Sequence, residues 1–182
     1  MRISKSFLTA VAAASLMLAG CSTEPETQTQ QNQLSTDSNA SMKDFGNQDP
    51  SLSGLLKDSY GYAIFPNVGK GAAGIGGAYG RGEVFEGSKL VGYADLTQAT
   101  VGASIGGADY AEMIVFRTPE AEHKFETGQL TFDANASAIA VSSGAAAQAR
   151  WGNDMEVFID PKGGLMADVS VGGQKFNFEP LH

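Results

Sequence analysis

A chain of 182 residues with 20 acidic against 12 basic side chains carries a formal charge of −8, which argues against nucleic acid as a partner. Its single cysteine excludes an internal disulfide and a cysteine-based metal cluster. Twenty-three glycines mean that any glycine motif must be weighed against chance.

The first twenty residues read as a signal peptide: Arg2 and Lys5 form a positive start, and Phe7 to Leu18 an apolar stretch too short to span a bilayer. The stretch closes on Leu18-Ala19-Gly20-Cys21, which resembles the lipobox of bacterial lipoproteins. That resemblance implies a lipid attachment at Cys21, with a diacylglycerol on the thiol and a third, palmitate-like chain on the freed amine. At about 0.8 kcal/mol per buried methylene, several chains make an effectively permanent anchor. Ser22 follows the cysteine, where Asp commonly retains lipoproteins at the inner membrane, so the expected location is the periplasmic face of the outer membrane. Loss of Arg2 and Lys5 leaves ten basic residues against twenty acidic ones, which disfavours purely electrostatic binding to anionic lipid.

Residues 22–41, "STEPETQTQQNQLSTDSNAS", hold Leu34 as their only large apolar side chain. So polar a segment buries too little surface to offset its ordering entropy, and 21–44 reads as a lipidated cysteine on a flexible tether. The folded domain is then 45–182, long enough to bury a core.

Two helices are predicted. "SLSGLLKDSYG" puts Leu52, Leu55 and Leu56 on one face, and "TPEAEHKFETG" has Pro119 at its first turn and Gly128 as a stop. The rest reads as strand. "YGYAIF" ends at Pro66-Asn67, and "LVGYADLTQAT" follows the turn Glu86-Gly87-Ser88. "EMIVFRT" is a short buried strand, and "MEVFID" meets a hairpin-like turn at Pro161-Lys162-Gly163-Gly164. "FDANASAIAVSSGAAAQARW" suits helix by its alanines and strand by its alternation; strand is favoured.

Between these runs lies "GKGAAGIGGAYGRG", in which Gly69, Gly71 and Gly74 match the G-x-G-x-x-G phosphate fingerprint. No amphipathic helix follows, and so many glycines would cost a helix several kcal/mol. With period two, Ile75, Gly77, Tyr79, Arg81, Glu83 and Phe85 share one face, and Gly74, Gly76, Ala78, Gly80 and Gly82 leave the other nearly bare. A bare strand face suits a close backbone approach or a sharp bend. Related pieces recur at Gly106-Gly107 and Gly172-Gly173. The expected fold is α+β and predominantly β: a strongly curved antiparallel glycine-rich sheet, or a barrel, with a few short, mainly N-terminal helices.

Candidate chemistry is sparse. His123 lacks a second histidine four residues on, and His182 is the last residue; no Ser stands in a G-x-S-x-G elbow. Asp95 and Asp168 interrupt apolar runs as candidate inward carboxylates, and Asn153, Asp154 and Asp160 match no calcium loop. The reading is no enzyme, no cofactor and no metal.

Taken in order, "YGYAIFPNVGKGAAGIGGAYGRGEVFE", "VGYADLTQATVGASIGGADYAEMIVFRT" and "PKGGLMADVSVGGQKFNF" resemble the SYLF domain, over about residues 50–179. The resemblance implies a compact β-rich domain with N-terminal helices. It implies phosphoinositide membrane binding, and in some members F-actin binding, for eukaryotic relatives, and lipid-associated envelope lipoproteins for bacterial ones. The basic amphipathic helix of eukaryotic members is missing: residues 41–58 hold only Lys43 and Lys57, against Asp44, Asp49 and Asp58. General lipid affinity remains, with Phe45, Leu52, Leu55 and Leu56 inserting and Lys57, Lys70, Arg81 and Lys89 touching head groups. The expected function is a non-enzymatic envelope lipoprotein whose domain binds phospholipid or the membrane surface. The alternative is a structural module that docks an envelope protein and is held at the membrane by the Cys21 lipid alone.

Overall fold

The computed structural model describes residues 23–130, 132, 138–149, 151–164 and 171–181. Its elements are α1 (Gln28–Gln48), α2 (Leu52–Lys57), β1 (Gly61–Glu86), β2 (Lys89–Phe116), α3 (Pro119–Glu126), β3 (Ile139–Ala140), β4 (Met155–Gly164) and β5 (Gln174–Pro180). The fold is α+β and predominantly β, with a mostly antiparallel sheet that does not close into a barrel.

β1 and β2 form one very long hairpin, turned at Gly87, whose φ of 57° suits a glycine. β1 runs along one edge of β2. The other edge of β2 is shared in succession, by β5 at residues 92–98 and by β4 at residues 108–116. β3 adds to β4 in parallel. Midway, the register slips between the pairs Ala73–Ile105 and Ile75–Val101, setting Gly74 against three residues of β2. This is where the glycines of the two strands lie, and the hairpin folds over there so that its two halves face each other.

The fold-over explains the bare face of β1. Ala78, Gly80 and Gly82 are buried and point into the interior. A Cβ on Gly82 would run into the Ile64 carbonyl oxygen and come within 2.7 Å of the Phe65 ring; one on Gly80 would come within 2.8 Å of Val68. The close neighbour of the naked backbone is therefore the first half of the same strand. On β2, Gly92 leaves room in the same way for the Phe178 ring.

Between the half-sheets lies the main core, a chain of rings from Phe65 through Phe176 and Phe125 to Phe116, with centroids 4.9–5.9 Å apart. Phe125 enters it from α3, whose start is fixed as expected: Thr118 caps the Ala121 amide, Pro119 opens the first turn, and Gly128 leaves with a φ of 66°. A second apolar cluster covers the outer face of the first half-sheet. There Ile64, Met113, Val115 and Phe158 meet Phe45 of α1, Leu52 of α2, and Val141, Ala145 and Ala146.

Four expectations are corrected. The tether assigned to 21–44 is a helix from Gln28, with a reciprocal capping box between Thr27 and Gln30. Its buried positions are Ser38, Ser41 and Phe45, so small hydroxyl residues hold the helical period that hydrophobes usually announce. Pro66 and Pro161 do not end strands. Pro66 lies within a register shift and Pro161, paired with Tyr110, borders one, and both strands run on. Lys162, the residue left unpaired at that shift, donates its ammonium to the Pro66 carbonyl at 2.8 Å and to Ser41 Oγ at 3.2 Å. Gly172 and Gly173 form a turn ahead of β5, with Gly173 at a φ of 75°, and not a third bent strand. In the ambiguous alanine-rich stretch, the described residues give only the two-residue β3 and a single 3-10 turn at Ala146–Gln148.

Candidate functional site

The chain is already part of the fold at Thr23. Its backbone N–H and that of Glu24 both donate to one carboxylate oxygen of Glu179 on β5, at 2.8 and 2.9 Å. The Asn177 side-chain amide donates to the Thr23 hydroxyl. Thr23 and Pro25 are buried, and Gln31 of α1 reaches back to the Glu24 carboxylate at 3.2 Å. A carboxylate accepting from two consecutive backbone amides makes a charge-assisted clasp. Cys21 itself lies outside the described residues, two positions before it.

The clasp belongs to one face of the second half-sheet. Three cross-strand rows make up that face: Tyr79–Thr97–Lys175, Arg81–Asp95–Asn177 and Glu83–Tyr93–Glu179. In the last row Glu83 and Tyr93 are buried, with Ser38 of α1 beside Glu83. Exposure rises away from α1. Arg81 and Asp95 are half-buried and paired at 2.9 Å, and the Tyr79 hydroxyl also donates to Asp95 at 3.1 Å. Tyr79, 51% exposed, and Leu181 at the end of β5, 41% exposed, are two of three exposed large hydrophobic side chains among the described residues; the third is Tyr60.

The residues expected to touch lipid do not form one surface. Phe45 and Leu52 are 0% and 1% exposed and belong to the second apolar cluster, with Leu55 and Leu56 half-buried against it. Folded as it is, the chain does not present Phe45 or Leu52 to a bilayer. Lys57 is exposed at the end of α2, Lys89 is exposed beside the hairpin turn, and Lys70 is half-buried on β1. Arg81 is engaged by Asp95, and the pair raises the guanidinium pKa further. The glycines singled out at Gly74, Gly76, Gly77, Gly106 and Gly107 do lie in the bent strands. Asp95 is not inward; it stands on the outer face. Asp168 and His182 fall outside the described residues, and His123 is an exposed helix residue 3.9 Å from Glu126.

Two buried glutamates, Glu112 and Glu122, went unnoticed, because a Glu inside an alternating strand or a charged helix gives no sequence signal of burial. Glu112 is fully buried between the half-sheets and accepts from Gln174 Nε2 at 2.9 Å. Its other oxygen, the Gln174 carbonyl and the Tyr110 hydroxyl have no hydrogen-bond partner among the described residues. Burial pushes the Glu112 carboxyl up to about 8, against the opposing pull of Gln174 and Lys70. Glu122 on α3 is pushed up to about 8 as well, first by burial and then by Glu126 and Glu86. Both acids are therefore largely neutral at pH 7. Asp49 behaves in the opposite way. Burial works against its charge, but bonds from the Ser51 hydroxyl and the Ala146, Gly144 and Ser51 amides hold it at about 2. It pins the end of α1 to the 144–146 loop.

Among the described residues, no group of three or more His, Cys, Asp or Glu side chains is arranged to hold a metal ion, and no helix is long and apolar enough to cross a membrane. No family model and no curated protein matches the chain.

Proposed function

We propose that this chain is a non-enzymatic envelope lipoprotein, acylated at Cys21, whose SYLF-like domain works in contact with the membrane surface. The supporting observation is the position of the fold relative to the lipobox: Leu18-Ala19-Gly20-Cys21 is followed, two residues later, by Thr23 clasped to β5. A domain joined so closely to its acyl chains stays at the lipid head groups. The burial of Phe45 and Leu52 argues for contact through the sheet surface instead of insertion of helix leucines.

Fractionation of the intact chain against its Cys21→Ser variant tests the reading. The wild type should enter the membrane fraction with the mass of an acylated N-terminus, and the variant should leave it. A wild-type chain that is soluble and unacylated would refute it. A second readout concerns the alternative, a protein-docking module held only by its lipid. If the wild type in phospholipid vesicles shows no contact between domain and head groups and retains a specific envelope protein, the alternative is correct.

A further inference from the structure

We infer that the outer face of the second half-sheet, bearing Tyr79, Thr97, Lys175 and Leu181, is the surface that lies against the phospholipid head groups, held there by the Glu179 clasp. This rests on the acylation of Cys21 proposed above and adds to it a fixed orientation.

Chain length makes the argument. Two residues span at most about 7 Å, so the sulfur-bearing residue cannot leave the neighbourhood of Thr23. Thr23 and Glu24 are fixed by three hydrogen bonds to Asn177 and Glu179, two of them at Thr23. Twenty flexible residues would have let the domain tumble at a root-mean-square reach of roughly 25 Å; the clasp removes that freedom. The bilayer then meets what adjoins Asn177 and Glu179. On one side α1 rises over the Glu83 row. On the other lie the row of Asn177, in which Arg81 and Asp95 are half-buried, and, beyond it, the exposed row of Tyr79, only two residues apart along each strand, or about 7 Å. Their composition fits a head-group layer, with an amphipathic tyrosine and one lysine on the outermost row, while the apolar Leu181 stands at the other end of the clasp, two residues past Glu179. Arg81 is already neutralised by Asp95, and Glu24 and Glu179 lie close by, so the seat suits zwitterionic phospholipid and draws nothing from anionic lipid.

The sole native cysteine is consumed by acylation, so an introduced one can be labelled alone. The acylated full chain would carry a fluorophore at Leu181→Cys or Thr97→Cys on the proposed face, or at Ser53→Cys on exposed α2. Each is reconstituted into phosphatidylethanolamine–phosphatidylcholine vesicles with a head-group quencher. Quenching should be severalfold stronger at 181 and 97 than at 53. An Asn177→Ala, Glu179→Ala pair should erase that contrast with the acyl mass unchanged. Equal quenching at the three positions, or stronger quenching at 53, on a chain shown by mass to be acylated overturns the orientation and leaves the lipoprotein reading standing. A chain without the acyl mass overturns both.

Discussion

Replacing Gly82 by alanine puts a methyl group where β1 crosses its own first half. The new Cβ meets the Ile64 carbonyl oxygen and comes to 2.7 Å from Phe65 Cδ1. Carbon atoms pack best at about 3.5–4.0 Å, so the half-sheets must part by roughly 1 Å against a core that has no slack. Overpacking of this kind costs about 1–3 kcal/mol and more when backbone must move. Alanine also stiffens the unfolded chain, which returns about 0.4–1 kcal/mol. The expected net loss is about 2 kcal/mol, read as a lower urea midpoint at unchanged slope in circular dichroism titrations. Gly71→Ala is the matched control: the same strand, an exposed position and nothing within 4 Å of the added Cβ. It should be neutral or slightly stabilising. If Gly82→Ala stays within about 0.5 kcal/mol of the wild type, or if Gly71→Ala loses as much, the glycines are not there for close approach.

Asp49→Ala strands the Gly144 and Ala146 amides and should cost roughly 2–4 kcal/mol in denaturant titrations. Because the folded Asp49 sits near 2, below its ordinary 3.8, its contribution holds above about pH 4 and is lost as pH falls towards 2; the variant should lack that component of acid unfolding. Glu112 gives the reverse sign. Its folded value near 8 lies above the ordinary 4.5, so the stability of the neutral form is full below pH 4.5 and declines as pH rises through 8. Titrations at pH 5 and pH 8 should show Glu112→Gln gaining on the wild type with pH, by about 1 kcal/mol per unit. Phe125→Ala removes the link between Phe116 and Phe176 in the ring chain and should cost about 3–5 kcal/mol; thermal melts that barely move would show α3 to be peripheral.

What could be read from the sequence was whatever local chemistry decides. The caps of α3, the Gly87 turn and the two-faced glycine strand each depend on a few neighbouring residues, and each is found in the structure. The bare face announced a close approach but not its source, since Ile64 stands eighteen positions from Gly82 and only the fold-over joins them. α1 was missed because its buried stripe is built from Ser38 and Ser41, whose small side chains let the helix sit close to the Pro66 carbonyl. The prolines misled for a related reason: each lies in or beside a register shift, and no local signal marks one. The candidate site was half visible. Leu18-Ala19-Gly20-Cys21 stands out as a local motif but lies outside the described residues, whereas Asn177 and Glu179 look like ordinary surface polar residues until Thr23 is laid across them.

The clasp joins residues 156 positions apart, which has a consequence for the order of events during synthesis. At roughly 5–20 residues per second, Thr23 leaves the ribosome some 10–30 s before Glu179 exists. Throughout that interval Thr23 lacks the two partners on β5 that fix it in the finished fold. The clasp therefore closes last, when β5 docks beside β2 and brings Asn177 and Glu179 to Thr23.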